Sequence, residues 1–141
     1  APVGSLIVGS RDLIERCRPI RKMLGGGMRQ AGVLAAAALV ALNEGPSRLS
    51  MDHENAATLA RGIAVIAGIR LDPANVQTNI VIFGIDPARM SAAEFLDSLK
   101  TRGVLALPVD AASVRMVTHL HVDGTDIENA ISAVSEVMKK R

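Results

Sequence analysis

From Ser113 to Val122 the chain alternates: Val114, Met116, Thr118, Leu120 and Val122 point one way, Arg115, Val117, His119 and His121 the other. That is the period of a strand with one face in a core. Beyond it, Ile127, Ala130, Ile131, Val134 and Met138 recur at the spacing of an amphipathic helix, and Thr125 to Glu128 has the form of a capping box that opens it. A second box, Ser91 to Glu94, opens a helix through Lys100 with Phe95, Leu96 and Leu99 inward and a stop at Gly103. "VQTNIVIF", Val76 to Phe83, is rich in β-branched residues and predicts a strand. "VLALPV" predicts another, placed near an edge by Pro108. The order from Val76 onward, β-α-β-β-α, predicts an α/β fold with helices packed on a small, largely antiparallel sheet.

The first half is patterned differently. "GSLIVGS" is a short apolar run between glycines and predicts a buried strand. "RDLIERCRPIRKML" is a charged helical pattern that Pro19 should kink or divide, and Gly25 to Gly27 end it. The stretch from Gln30 to Asn43 is apolar on every side of a helix and has to be covered on every side. "GPSRLSMDHENAATLARGIAVIAG" is an interrupted helix, with Ser50 or Asp52 as N-cap, Leu59, Ile63 and Ile66 at helical spacing, and Gly68 as its stop.

Composition sharpens this picture in two places. At 141 residues, with 49% apolar content but two Phe and no Tyr or Trp, the core must be built from aliphatic side chains, which points to a piece of something larger. The net charge of +2 is also unevenly spread. Arg11, Arg16, Arg18, Arg21, Lys22 and Arg29 face only Asp12 and Glu15, so this segment is +4 and the remainder −2. Local basicity without aromatics argues against a nucleic-acid surface and for a small anionic ligand or an acidic partner. The longest apolar run, Ala31 to Leu42, is shorter than the roughly 20 residues a bilayer helix needs. A single cysteine, Cys17, forms no intramolecular disulfide, and the start "APVGSLIVGSRD" has no secretory pattern. We expect a reducing, cytoplasmic setting, no membrane and no nucleic acid.

Several residues could carry chemistry, each against a plainer alternative. The triple glycine is either a hinge or bare backbone that lets a bulky anion approach between Lys22 and Arg29. It fits neither the Walker pattern nor the dinucleotide fingerprint. Arg115, mid-strand between apolar neighbours, is either solvated or a planar fork for a carboxylate. His119 and His121 share its predicted face but have no third ligand nearby, so no metal is expected. His53 reads as a surface residue and Cys17 as structural.

"APVGSLIVGSRDLIERCRPIRKMLGGGMRQAGVLAAAALVAL", "DHENAATLARGIA", "VQTNIVIF" and "VRMVTHLHV" together resemble the C-terminal part of a low-specificity L-threonine aldolase, with "RKMLGGGMRQAG" the most specific segment. The resemblance covers nearly the whole chain. It implies a pyridoxal-phosphate lyase of the aspartate-aminotransferase fold (fold type I), cleaving L-threonine or L-allo-threonine to glycine and acetaldehyde. Residues 1–45 would end the large cofactor-binding domain with its last strand and a connecting helix, and residues 46–141 would form the small α/β domain. The resemblance implies a homotetramer, a dimer of dimers, with the glycine loop at an active site formed between subunits. Lys22 and Arg29 match its active-site cations, and Arg115 matches the arginine that holds the substrate α-carboxylate. Anchoring the carboxylate selects the bond held perpendicular to the cofactor ring, here Cα–Cβ.

The family's Schiff-base lysine belongs before the "APVGS" match, in a "SKG" context, and Lys22, Lys100, Lys139 and Lys140 do not match it. We therefore expect no catalytic residue among the 141 and an inactive isolated chain. The alternatives are a non-catalytic, oligomerising remnant of such an enzyme, or another lyase or aminotransferase of the same fold.

Overall fold

The computed structural model describes residues 3–139; Lys140 lies outside them. The chain divides into two compact units, Ala1–Ser47 and Arg48–Arg141.

In the first unit, α1 (Arg11–Met23) starts at Ser10, whose hydroxyl accepts the Leu13 N–H at 3.3 Å. Pro19 does not divide the helix, which continues through it. Glu15, whose carbonyl loses its intrahelical donor, and Pro19 are both exposed, so water can take the vacated bond. Gly25 ends the helix at φ +83°, a conformation that disfavours any Cβ. Its N–H donates to Lys22 O (3.1 Å) and that of Gly26 to Arg21 O (2.8 Å), the paired bonds of a Schellman turn.

The apolar helix α2 spans Gly32–Glu44 and buries none of its residues. "GSLIVGS" is not the predicted buried strand: Leu6, Ile7 and Val8 are exposed and unladdered. β-propensity makes a strand only beside a pairing partner, and the described residues of this unit hold no other strand.

The second unit is a two-layer α/β sandwich. A four-stranded antiparallel sheet has the order β1 (Ile69–Arg70), β2 (Ile80–Ile85), β4 (Ser113–Val117), β3 (Leu107–Pro108), which puts Pro108 on an edge as expected. One face is covered by α3 (Leu49–Ala64), α4 (Ala92–Lys100) and α5 (Gly124–Lys139). The core on that face joins Val81, Phe83, Ile85, Val114 and Met116 of the sheet to Leu59, Ile63, Phe95, Leu99, Val134 and Val137 of the helices. The chain's two phenylalanines, Phe83 and Phe95, meet edge to face at 5.9 Å at its centre. Helices α3 and α5 pack closely because Gly62 has no Cβ, which would collide with Ile131.

The Ser91–Glu94 capping box is present in both directions, and α4 ends at Lys100 as predicted. The cap of α5 differs. Asp123, not Thr125, accepts from the Asp126 N–H (3.0 Å) while Asp126 accepts from Asp123 N–H (3.1 Å). A carboxylate two residues earlier reaches the free amides, so the helix begins sooner. Ser50 and Asp52 lie inside α3, because the 3₁₀ turn Pro46–Arg48 already leads into it. That helix ends at Ala64, with Gly68 in the turn beyond at φ +94°.

Candidate functional site

Strand β4 is anchored from one end. The buried Thr118 hydroxyl donates to Asp52 O (2.7 Å), and the Asn79 side-chain amide donates to Thr118 O (2.9 Å). Asn55 donates to Val122 O (3.0 Å), pinning the following turn to α3. With Val114 and Met116 committed to the core, period 2 turns Ser113, Arg115 and Val117 outward, onto the face that no helix of this unit covers.

Arg115 sits in the middle of that open face. It is flanked across the sheet by Ile82 and Leu107, with Val117 and Ile80 paired one step along. The side chain is half-buried among exposed apolar neighbours: Ile82 is 50% and Leu107 55% exposed. The ion pairs among the described residues are Arg18–Glu15 and Arg102–Glu136, so Arg115 has no carboxylate of its own. A rigid strand thus presents an uncommitted planar fork in apolar surroundings, an arrangement suited to bidentate capture of a carboxylate.

Asp110, the acidic residue beside this face, is already engaged. Its carboxylate accepts the Ala112 N–H (2.8 Å), and that bond, followed by the one with the Ser113 side chain, holds its pKa below the ordinary 3.8.

Lys22 and Arg29 both lie in the first unit and are exposed. Lys22 is in the last turn of α1, and its stem runs under the glycine turn, 3.5 Å from where a Cβ on Gly27 would sit. Nothing lies within 4 Å of a Cβ position on Gly25. Neither cation has a carboxylate partner among the described residues. Lys22 lies at this turn and Arg29 follows it by two residues in the chain, and two cations there are chemically compatible with the phosphate end of pyridoxal phosphate.

The expected grouping of His119 and His121 with Arg115 fails. The strand ends at Val117, and the two histidines lie in the turn beyond, where His121 N–H donates to His119 Nδ1 (3.2 Å) and the rings meet edge to face at 5.9 Å. The bond from Thr118 to α3 ends the alternation. Leu120 is accordingly exposed, not in the core. A groove of about 590 Å³ between α5 and the end of β4 includes His119 but none of Lys22, Arg29 and Arg115. Its one arginine, Arg102, is held by Glu136 (3.1 Å) and Ser98 O (2.8 Å).

One residue of the open face was missed from sequence. Arg70 is on a strand of two residues, too short for any alternation to register.

Residues 1–86 match the beta-eliminating lyase family. A low-specificity L-threonine aldolase 1 of Arabidopsis thaliana is 41% identical over 139 residues, covering 98% of this chain and 39% of that protein. The low specificity L-threonine aldolase of Escherichia coli (strain K12) is 43% identical over 123 residues, covering 86% of this chain and 34% of that protein. The chain thus spans well under half the length of these relatives. Among solved structures, MppP soaked with the product 2-ketoarginine superposes with a TM-score of 0.55 at 16% identity, covering 70% of this chain and 30% of that one, a likeness of fold alone.

Proposed function

The chain belongs to the beta-eliminating lyase family, and on that premise we propose that it is the C-terminal portion of a pyridoxal-phosphate-dependent threonine aldolase. In this reading Ala1–Ser47 closes the large cofactor-binding domain and Arg48–Arg141 is the small domain. The observation that carries it is Arg115: a guanidinium with no carboxylate partner among the described residues, fixed mid-strand on the sheet face that no helix of its own unit covers, beside Ile82, Leu107 and Val117. The identity to the aldolases supports the reaction class.

Pyridoxal phosphate, when bound, supplies the electron sink for the bond broken at Cα. Lys22 and Arg29 would hold its phosphate as two charges beside the open glycine turn. Arg115 grips the α-carboxylate through two parallel N–H donors and fixes the rotation about Cα, which decides that Cα–Cβ is the bond aligned for cleavage. Its apolar neighbours keep water from competing for the same donors. The catalytic lysine is assigned to the remainder of the full-length protein, whose relatives are more than twice as long as this chain.

The run Val33 to Leu42 of α2, apolar on every side, supports a homo-oligomer, consistent with a dimer of dimers in which the glycine loop serves a shared site. No helix among the described residues is long and apolar enough to cross a membrane. The lone thiol of Cys17 supports a cytoplasmic setting.

The test is Arg115→Ala in the full-length protein. Loss of a bidentate charge-assisted pair should lower kcat/KM for threonine by roughly 30- to 1000-fold, about 2–4 kcal/mol, with cofactor affinity little changed. Arg115→Lys should rescue part of it, because charge survives and the fork does not. Near-normal kcat/KM in Arg115→Ala would leave Arg115 as a solvated surface residue. Loss of pyridoxal phosphate would move it to the cofactor site.

A further inference from the structure

The open face carries a second arginine. Arg70 pairs with Gly84, and Gly84 pairs in turn with Ser113, so Arg70 lies in the cross-strand row next to that of Ile82, Arg115 and Leu107. Residues 80, 82 and 84 of β2 alternate with the buried Val81, Phe83 and Ile85, which places Gly84 on the same outward face as Arg115. Gly84 is the bare spot over which the Arg70 side chain lies: a Cβ there would be 3.4 Å from Arg70 Nε and 3.7 Å from Nη2. The guanidinium is therefore drawn inward from the edge strand to lie above β2. It is held there by donation from Nη2 to Ile85 O at 3.0 Å. That bond uses one of five N–H donors.

Gly84 and Arg115 are diagonal cross-strand neighbours, and such positions are roughly 7–8 Å apart, within reach of long side chains. Among the described residues neither guanidinium has an acidic partner, and the carboxylate of Asp110, in the loop before Ser113, is committed to Ala112 and Ser113. Two guanidiniums without acidic partners among the described residues, one row apart on an apolar sheet, leave positive charge that a single carboxylate does not neutralise.

We propose that Arg70 is a specificity-determining residue that selects β-hydroxy-α-amino acids carrying a second carboxylate on the side chain. The inference rests on the assignment of Arg115 to the α-carboxylate. Arg115 holds the α-carboxylate and Arg70 receives the distal one. The reaction is the same cleavage: the Cα–Cβ bond breaks, the β-hydroxyl gives up its proton and becomes the aldehyde of an oxo-acid, and Cα takes a proton to become glycine.

The experiment compares 3-hydroxyaspartate with threonine as substrates of the full-length protein, and succinate with propionate as inhibitors. Wild type should favour the dicarboxylate of each pair. In Arg70→Gln both preferences should fall about tenfold, the worth of one charge-assisted contact, and Arg70→Lys should keep part of them. Arg115→Ala should depress both substrates. If Arg115→Ala does so while Arg70→Gln leaves the ratios where they were, this inference is overturned and the aldolase reading stands. If Arg70→Gln lowers both substrates equally, the arginine serves the fold through Ile85 and the inference is again overturned. If Arg115→Ala spares both substrates, the underlying carboxylate assignment falls. A wild type with no preference for succinate over propionate also overturns the inference.

Discussion

Helix α2 of the first unit and helix α5 of the second are close in length and opposite in design. Helix α5 confines its apolar residues to one stripe, and Ile127, Ala130, Ala133, Val134, Val137 and Met138 are all buried against the sheet and α3. Helix α2 is apolar all round, from Val33 to Leu42, and buries nothing. An amphipathic stripe names the surface that covers it, because its width and direction are those of the core it meets. A helix apolar on all sides states only that covering exists. The second unit can therefore be argued from its own residues, whereas the cations Lys22 and Arg29, which sit in the first unit, depend for their role on surfaces beyond α1 and α2. The proposed carboxylate role of Arg115 accordingly follows from its place on β4, and the proposed phosphate role of Lys22 and Arg29 from their charge beside the glycine turn.

Substitutions in the two units should separate this contrast most widely. Phe95→Ala removes a ring buried against Phe83 and should cost about 3–5 kcal/mol in urea unfolding of the chain. Leu39→Ala in α2, where the side chain is 60% exposed, should cost less than about 0.5 kcal/mol in the same measurement. Equal costs would mean that α2 belongs to the chain's own core, and the contrast would collapse. In the full-length protein Leu39→Glu should shift sedimentation toward smaller species, because a charge on a covered apolar helix opposes association. An unchanged oligomer would remove α2 from the interface.

What could be read from sequence follows the same division. The order β-α-β-β-α, the edge position of Pro108, the Ser91 box and the stripe of α5 were all readable, because local propensity and long-range burial agree there. The misreadings share a cause. The alternation through "SVRMVTHLHV" suggested one long strand, but the hydroxyl of Thr118 bonds to Asp52 O on α3, a contact across 66 residues that no local pattern records. "GSLIVGS" has the propensity of a strand, but the described residues of its own unit hold no strand for it to pair with. Arg115 was visible as a charge inside an apolar run. Arg70 was not, since its meaning comes from Gly84 beneath it, fourteen positions later in the chain.

A smaller effect separates the two candidate caps at the start of α5. Asp123→Ala removes the carboxylate that accepts the Asp126 amide and should cost about 1 kcal/mol. Thr125→Ala should cost much less, because Thr125 lies inside the helix and caps nothing. Urea denaturation of the two variants decides between the caps, and a larger loss for Thr125→Ala would restore the reading made from sequence.

The smallest expected effect lies at the rim of the open face. Asp110 is fully exposed, so its perturbation comes from hydrogen bonds to the ionised form: first the Ala112 N–H, then the Ser113 side chain, against slight desolvation. The folded pKa lies below the ordinary 3.8, which is close to the unfolded value. The group therefore binds protons more readily when unfolded, and its contribution to stability is present above pH 3.8 and lost as the pH falls through the folded pKa. Asp110→Asn should flatten the acid limb of the stability profile below 3.8 and remove the contribution that is present above it, neutral pH included. Ser113→Ala should move the Asp110 titration part of the way back toward 3.8, leaving the larger Ala112 contribution in place. Urea denaturation across pH reads Asp110→Asn, and carboxyl-detected NMR titration reads Ser113→Ala. If Ser113→Ala left the titration where it is, the amide alone would hold the turn, and Ser113 would be free to turn its hydroxyl toward the row shared with Gly84 and Arg70.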